Sequence, residues 1–131
     1  MKILGKTDAG MRRRSNQDTF AVLEKNGYAL AVVCDGVGGS NGGETASETA
    51  KTVFCNSVRS SLSGTNPAEL DERSAEDILS QAVAEANAEV FRKAQEDAEL
   101  EGMATTLVAA LICGNSVYIV NIGDSRLYAI S

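Results

Sequence analysis

Three aspartates stand where short polar stretches meet strand-like segments of the sequence. Asp35 follows an apolar run over residues 28–34, Asp18 follows a polar loop at the start of another strand, and Asp124 lies in a tight Gly-Asp-Ser turn. Carboxylates held at strand ends are good oxygen ligands for Mg²⁺ or Mn²⁺. Each could also be an ordinary turn residue, and a lone Asp-Gly dipeptide usually is one. Together with a nearby arginine-rich loop, the three aspartates fit a multi-metal site that handles a phosphate ester.

The glycine-rich loop that starts at Asp35, DGVGGSNGG, raises two alternatives to a metal site. A P-loop places lysine and then Ser or Thr directly after its last glycine, whereas Gly43 is followed by Glu44. A dinucleotide fingerprint that begins at Gly36 needs glycine at position 41, where the chain has asparagine. The carboxylates of Asp35 and Glu44 would also repel a polyphosphate unless a cation lay between them. The loop therefore favours a metal, and a plain turn is the remaining alternative.

The absence of histidine restricts the chemistry that this chain of 131 residues can perform. A Ser-His-Asp or Cys-His mechanism within the chain is excluded. The three cysteines, Cys34, Cys55 and Cys113, are widely spaced among apolar neighbours and form no CxxC pair. This spacing predicts reduced core residues rather than a zinc site or a redox pair. Catalysis would have to rest on carboxylates, arginine, backbone groups or metal.

Charge and hydropathy argue against two classes of partner. The net charge of −6 disfavours nucleic acid, because binding to a phosphate backbone calls for a basic face, and the arginines at 12–14 form too short a cluster to supply one. The longest apolar runs have about seven residues, far short of the roughly 20 that span a bilayer. No signal-peptide pattern is present. We therefore predict a cytoplasmic protein that binds neither nucleic acid nor a membrane.

Two amphipathic helices are predicted in the middle of the chain. Apolar residues recur at helical spacing over about residues 43–61 and again over about residues 74–100. Ser74 is the predicted N-cap of the second helix, because acids follow it in the first turn. The apolar side of that helix includes Leu79, Val90 and Phe91, and Gly102 is predicted to end it.

Strands are predicted on both sides of the helix pair, over residues 2–7, 19–24, 28–34, 105–113, 116–122 and 126–130. Lys-Asn-Gly at 25–27 is a hairpin signal, and the apolar run 28–34 indicates a central strand covered on both faces. Strands grouped before and after two helices predict an α+β layered domain. The chain stops within a strand, and natural domains usually cover such edges. We therefore expect a single domain over residues 1–131 that lacks its C-terminal portion.

Four stretches resemble, in order, the N-terminal motifs of the PP2C-type metal-dependent serine/threonine phosphatases, especially the bacterial members: GMRRRSNQD at 10–18, VVCDGVGG at 32–39, GMATTLVAAL at 102–111 and VNIGDSRLYAI at 120–130. The resemblance covers essentially the whole chain. It implies a four-layer αββα sandwich of two antiparallel sheets flanked by helices, with two Mn²⁺ or Mg²⁺ ions at one end. It also implies a monomer that hydrolyses phosphoserine and phosphothreonine, with phosphorylated proteins, among them a serine/threonine kinase and its substrates, as partners.

The resemblance assigns roles to individual residues. Asp35 would bridge the two metals, and Gly36 would lend its backbone carbonyl to one of them. Asp18 would hold a metal-bound water, and Arg13 would bind the substrate phosphate through its planar guanidinium. Arg13, Asp18 and Asp35 are thus the implied catalytic residues. Asp124 would belong to a third metal site found in some members.

Two departures from the family pattern bear on activity. Val37 stands where animal members carry a histidine proposed to protonate the leaving group. The later aspartate motifs that complete the second metal site do not occur in this chain. We therefore expect these 131 residues alone to bind divalent metal weakly and to show little or no phosphatase activity. The alternative is a non-catalytic PP2C-like module that binds phosphoproteins or regulates another protein.

Overall fold

Five antiparallel strands form one sheet in the part of the chain that the computed structural model describes. That part comprises residues 18–25, 27–38, 42–122 and 126–130, with all of their side chains except those of residues 18 and 126–130. The strands follow one another across the sheet in chain order: β1 (Asp18–Lys25), β2 (Tyr28–Val37), β3 (Ala104–Cys113), β4 (Ser116–Ile122) and β5 (Arg126–Ile130). Neighbouring strands all pair antiparallel.

Two long helices connect β2 to β3. They are α1 (Gly42–Leu62) and α2 (Glu72–Glu96), and a short 3₁₀ helix precedes β3 at Ala98–Leu100. The predicted α+β class, with strands on either side of a helix pair, is confirmed. The predicted strand over residues 2–7 lies outside the described residues.

The turn between β1 and β2 confirms the predicted hairpin. Gly27 has a φ of 92°, a left-handed value that glycine adopts without steric cost. A Cβ at this position would also lie 3.2 Å from ring carbons of Pro67. Pro67 begins a 3₁₀ helix, Pro67–Glu69, and is itself buried. The loop between the helices is therefore packed against the hairpin at this proline, which composition alone did not indicate.

β2 extends to Val37, three residues beyond its predicted end. Its last residues pair with the start of β3, so that Asp35 lies opposite Thr106 and Gly36 lies opposite Thr105. The prediction ended the strand at Asp-Gly because this dipeptide is a common turn signal, but pairing with β3 keeps it extended. Asp35 therefore lies within a central strand rather than after it.

α2 begins and ends earlier than predicted. Its N-cap is Asp71, whose carboxylate accepts a hydrogen bond of 2.7 Å from the backbone N–H of Ser74, so the prediction of Ser74 as the cap is wrong. Aspartate caps helices as well as serine does, and the sequence offers both. The helix ends at Glu96 rather than near residue 100. Phe91, predicted on the apolar side, is 62% exposed.

The helices cover one face of the sheet and form the core with it. Alternate residues of β2 and β3 are buried on this face, and α1 and α2 contribute large side chains to it. The fully buried side chains include Leu30, Phe54, Leu79 and Leu111. Burial of such side chains supplies most of the favourable free energy of folding.

The opposite face of the sheet is more exposed than expected. Val33, Val37 and Val108 are exposed by 42%, 60% and 42%, although β2 was predicted to be covered on both faces. Because side chains alternate along a strand, Asp35 lies on this same face as Val33 and Val37. The described residues thus provide one sheet and one helical layer, two of the four layers that the resemblance implies.

Two further predictions can be compared with the described residues. The three cysteines are free, with Cys34 and Cys113 buried and Cys55 partly buried, as predicted for reduced core residues. Within the described ranges, neither helix is long and apolar enough to cross a membrane.

Candidate metal centre

The candidate site begins with two aspartates on neighbouring strands. Asp18, the first residue of β1, is the direct cross-strand partner of Asp35 in β2. Directly opposite residues of an antiparallel pair occupy the same face of the sheet, with Cα atoms about 4.5 to 5.5 Å apart. Two aspartate positions that are distant in sequence are therefore neighbours at one end of the sheet.

The surroundings of Asp35 limit the access of solvent to its carboxylate. Its Oδ1 atom is buried, although the residue as a whole is partly exposed. Gly36 follows in the strand and is buried. Because glycine has no side chain, the backbone at this position can be approached closely by an ion or by another chain segment.

The first residues of β3 extend this end of the sheet on the side away from β1. Thr106 is the cross-strand partner of Asp35, so that positions 18, 35 and 106 form one row across three strands. The hydroxyl of Thr105 donates a hydrogen bond of 2.8 Å to the backbone carbonyl of Thr106. The row itself, Asp18, Asp35 and Thr106, has a polar residue on each of its three strands.

Cys34 precedes Asp35 but lies on the helix-covered face of the sheet. Burial is the largest cause that raises the pKa of its thiol to about 12. The thiol is therefore protonated at neutral pH, and a thiol in this form is a poor nucleophile and a poor metal ligand. Cys34 is thus a free, buried thiol, as predicted for a reduced core residue.

Gly38, the residue after β2, lies close to the start of α1. A Cβ on Gly38 would lie 2.9 Å from the backbone nitrogen of Gly43, and a Cβ on Gly42 would lie 3.2 Å from the Cβ atom of Met103. The glycines therefore permit a close approach between backbone segments next to Asp35. This is a structural reason for the glycines that does not require a phosphate ligand.

A polar contact that sequence reasoning missed joins β1 to α1 beside Asp18. The hydroxyl of Thr19 donates a hydrogen bond of 2.6 Å to Oε2 of Glu48 and accepts one of 3.2 Å from Nζ of Lys51. Lys51 also forms an ion pair with Glu48, with 2.9 Å between Nζ and Oε1. The spacing of Glu48 and Lys51 on one helix face was visible in the sequence. Their common partner was not, because it lies 29 residues away from Glu48.

Two of the predicted site residues cannot be compared with this geometry. Arg13, the predicted phosphate ligand, and Asp124, the predicted ligand of a third metal, both lie outside the described residues. In the sequence, Asp124 lies between Ile122, where β4 ends, and Arg126, where β5 begins. Of the predicted site residues, the structure describes Asp18, Asp35 and Gly36, and it brings these three together.

Comparison with known proteins assigns the chain to a family. The model of the family described as Protein phosphatase 2C matches residues 10–131. The chain belongs to this family. Among PP2C relatives, it is 36% identical over 124 residues to the serine/threonine phosphatase stp of Listeria monocytogenes, covering 94% of this chain and 47% of the relative. It is 31% identical over 128 residues to the serine/threonine protein phosphatase PstP of Mycobacterium tuberculosis, covering 98% of this chain and 22% of the relative.

Solved PP2C structures have a similar fold. The serine/threonine phosphatase Stp1 of Staphylococcus aureus matches with a TM-score of 0.72 at 31% identity, over 96% of this chain and 51% of that one. The catalytic domain of PstP, solved in complex with two manganese ions, matches with a TM-score of 0.62 at 30% identity, over 96% and 53%. This PP2C chain spans about half the length of the stp phosphatase, and it covers 22% of the length of PstP.

The residues of this PP2C chain fit a divalent cation. The side chain of Asp35 offers hard oxygen ligands with one oxygen buried, and Gly36 offers a backbone carbonyl, which suit Mg²⁺ or Mn²⁺ better than soft metals. Like charges directly opposite each other in a sheet are unfavourable, and a cation near positions 18 and 35 would offset that cost. Within the ranges that the structure describes, no group of three or more His, Cys, Asp or Glu residues could hold a metal ion by itself. A complete site would need further ligands from other residues.

Proposed function

We propose that this chain forms the N-terminal part of a metal-dependent phosphatase that hydrolyses phosphoserine and phosphothreonine in proteins. The observation that carries the proposal is the direct opposition of Asp18 and Asp35 at one end of the sheet. Membership of the PP2C family and relatives named as serine/threonine phosphatases support it.

In this proposal the chain's residues hold the metals and orient the reactants. Asp35 would hold the divalent cations through its carboxylate, and Gly36 would offer its backbone carbonyl as a further oxygen ligand. Asp18 would accept a hydrogen bond from the attacking water and orient it. The cations, when bound, lower the pKa of that water and neutralise the charge that develops on phosphate. Mn²⁺ and Mg²⁺ remain equally compatible with the oxygen ligands.

Arg13 and Asp124 complete the proposed assignment. Arg13 binds two phosphate oxygens through its guanidinium fork, which holds phosphorus in line with the water. Asp124 contributes to a third, weaker metal site. Both roles come from the matching motifs, since these residues lie outside the described part of the structure.

The proposed partners are phosphorylated proteins, with a serine/threonine kinase and its substrates as one source of them. The two bacterial phosphatases named above support this choice of substrate. We propose a cytoplasmic monomer, and the three free thiols suit such a reducing compartment.

The experiment that tests the proposal measures phosphate release from a phosphothreonine peptide. The full-length protein, as its gene encodes it, is incubated with the peptide in the presence of Mn²⁺ or of excess EDTA. We expect release with Mn²⁺ and none with EDTA. Binding of the peptide without release under both conditions would instead support the alternative, a non-catalytic module that binds phosphoproteins.

A further inference from the structure

The contact among Thr19, Glu48 and Lys51, which we call the β1–α1 clasp, joins two elements that border the candidate site. Thr19 directly follows Asp18 in β1, whereas Glu48 and Lys51 lie in α1, the helix that begins after the glycine-rich loop. Two hydrogen bonds, of 2.6 Å and 3.2 Å, connect the Thr19 hydroxyl to these two helix residues. The clasp therefore fixes the chain one residue away from Asp18.

The position of β1 in the sheet makes such a contact important. β1 lies at the edge of the described sheet and pairs with only one strand there, β2. Asp18 is its first residue, where a strand end with a single neighbour frays most easily. A side-chain contact from the helix side therefore supplies a second attachment close to Asp18.

The burial of Thr19 distinguishes the clasp from an ordinary surface ion pair. An exposed Glu–Lys pair three residues apart on a helix contributes little to stability. Thr19, however, is 9% exposed, and its hydroxyl both donates and accepts within the clasp. The hydrogen bond from Thr19 is the largest cause that lowers the pKa of Glu48, as expected for a bond made to the charged carboxylate.

We infer that Glu48 and Lys51, acting through Thr19, are positioning residues that hold Asp18 opposite Asp35. The inference rests on the proposed function, in which these two aspartates serve the metal centre. Residues that orient groups around a metal typically change metal affinity about 10- to 100-fold when they are altered. The clasp should act at the lower end of this range, because it acts on Asp18 through the backbone.

The test compares three variants of the full-length protein by calorimetric titration with Mn²⁺. Thr19→Val keeps the shape of the side chain but removes both hydrogen bonds of the hydroxyl. Thr19→Ser keeps the hydroxyl. Thr49→Val is the matched control. Like Thr19, Thr49 is buried, and its hydroxyl accepts a hydrogen bond of 3.2 Å from a lysine, Lys93. This bond, however, joins α1 to α2 rather than to β1.

We expect Thr19→Val to weaken Mn²⁺ binding about tenfold, with Thr19→Ser and Thr49→Val close to wild type. In turnover assays, Thr19→Val should require more Mn²⁺ for half-maximal rate, and saturating Mn²⁺ should restore most of kcat. Equal Mn²⁺ affinity in the wild type and Thr19→Val would overturn the inference and leave the proposed function standing. Equal losses of Mn²⁺ affinity in Thr19→Val and Thr49→Val would overturn it as well, because they would show that any loss of stability weakens Mn²⁺ binding. Absence of Mn²⁺ binding by the wild type would overturn the proposed function and the inference together.

Discussion

Asp18 lies directly opposite Asp35 across the β1–β2 ladder, so two acidic positions that are distant in sequence meet at one end of the sheet. If this pair serves a metal centre, ligand binding to the folded state should stabilise the full-length protein. We expect added Mn²⁺ to raise the midpoint of thermal unfolding of the wild type but not that of Asp35→Asn. Differential scanning fluorimetry measures both midpoints. The control is Glu96→Gln at the exposed end of α2, which should respond to Mn²⁺ as the wild type does.

The close approach of Gly38 to Gly43 can be tested by substitution. The Cβ of Gly38→Ala would lie 2.9 Å from the Gly43 nitrogen, so the backbone beside Asp35 must shift. We expect a loss of about 1–3 kcal/mol in unfolding free energy and weaker Mn²⁺ binding by the full-length protein. Urea denaturation and calorimetric titration measure these two quantities.

The control for Gly38 is Gly64→Ala. Its added Cβ would meet no atom within 4 Å, and only its φ of 79° opposes the change. A loss of stability without a change in Mn²⁺ affinity is expected there. If both variants bound Mn²⁺ as the wild type does, the loop would have no role in the site.

The clasp predicts a specific pH dependence of stability. The hydrogen bond from Thr19 lowers the pKa of Glu48 in the folded protein, so the stabilisation from this carboxylate is present at neutral pH. It is lost as the pH falls below the ordinary pKa of glutamate and through the lowered value. The difference in unfolding free energy between wild type and Thr19→Val should therefore shrink on acidification through this range. Urea denaturation at several pH values checks this, and a difference that grew on acidification would contradict it.

A polypeptide of these 131 residues provides a further prediction. The described residues contain no group of three or more acids, histidines or cysteines that could hold a metal, and the relative stp is about twice as long as the stretch it shares with this chain. We expect the polypeptide alone to bind Mn²⁺ weakly and to show little or no hydrolysis of p-nitrophenyl phosphate. Clear Mn²⁺-dependent turnover would show that the residues present suffice.

The sequence was sufficient to predict the elements whose signals are local. Alternating and helical periodicity located α1 and all five described strands to within a few residues, and Lys-Asn-Gly located the hairpin at Gly27. Errors arose where two local signals competed. Asp71 and Ser74 could each cap α2, and the turn signal at Asp35-Gly36 was overridden by pairing with β3.

Contacts between distant segments could not be predicted from periodicity. Nothing in the local sequence pairs Thr19 with Glu48, because the contact depends on how α1 packs across β1. The exposure of Phe91, next to the buried Val90, likewise could not be predicted from helical periodicity. The candidate metal residues, by contrast, were found from motifs, and the register of β1 and β2 then placed Asp18 and Asp35 together.

The central claim is that the Asp18–Asp35 end of the sheet serves a metal-dependent phosphatase. Its most direct test is the rate of phosphate release from a phosphothreonine peptide by full-length wild type, Asp35→Asn and Glu96→Gln at saturating Mn²⁺. We predict that Asp35→Asn lowers the rate about 100-fold or more, since even groups that only support metal ligands cost about 10- to 100-fold, whereas Glu96→Gln retains the wild-type rate. A Mn²⁺-dependent rate in Asp35→Asn equal to that of the wild type would contradict the claim.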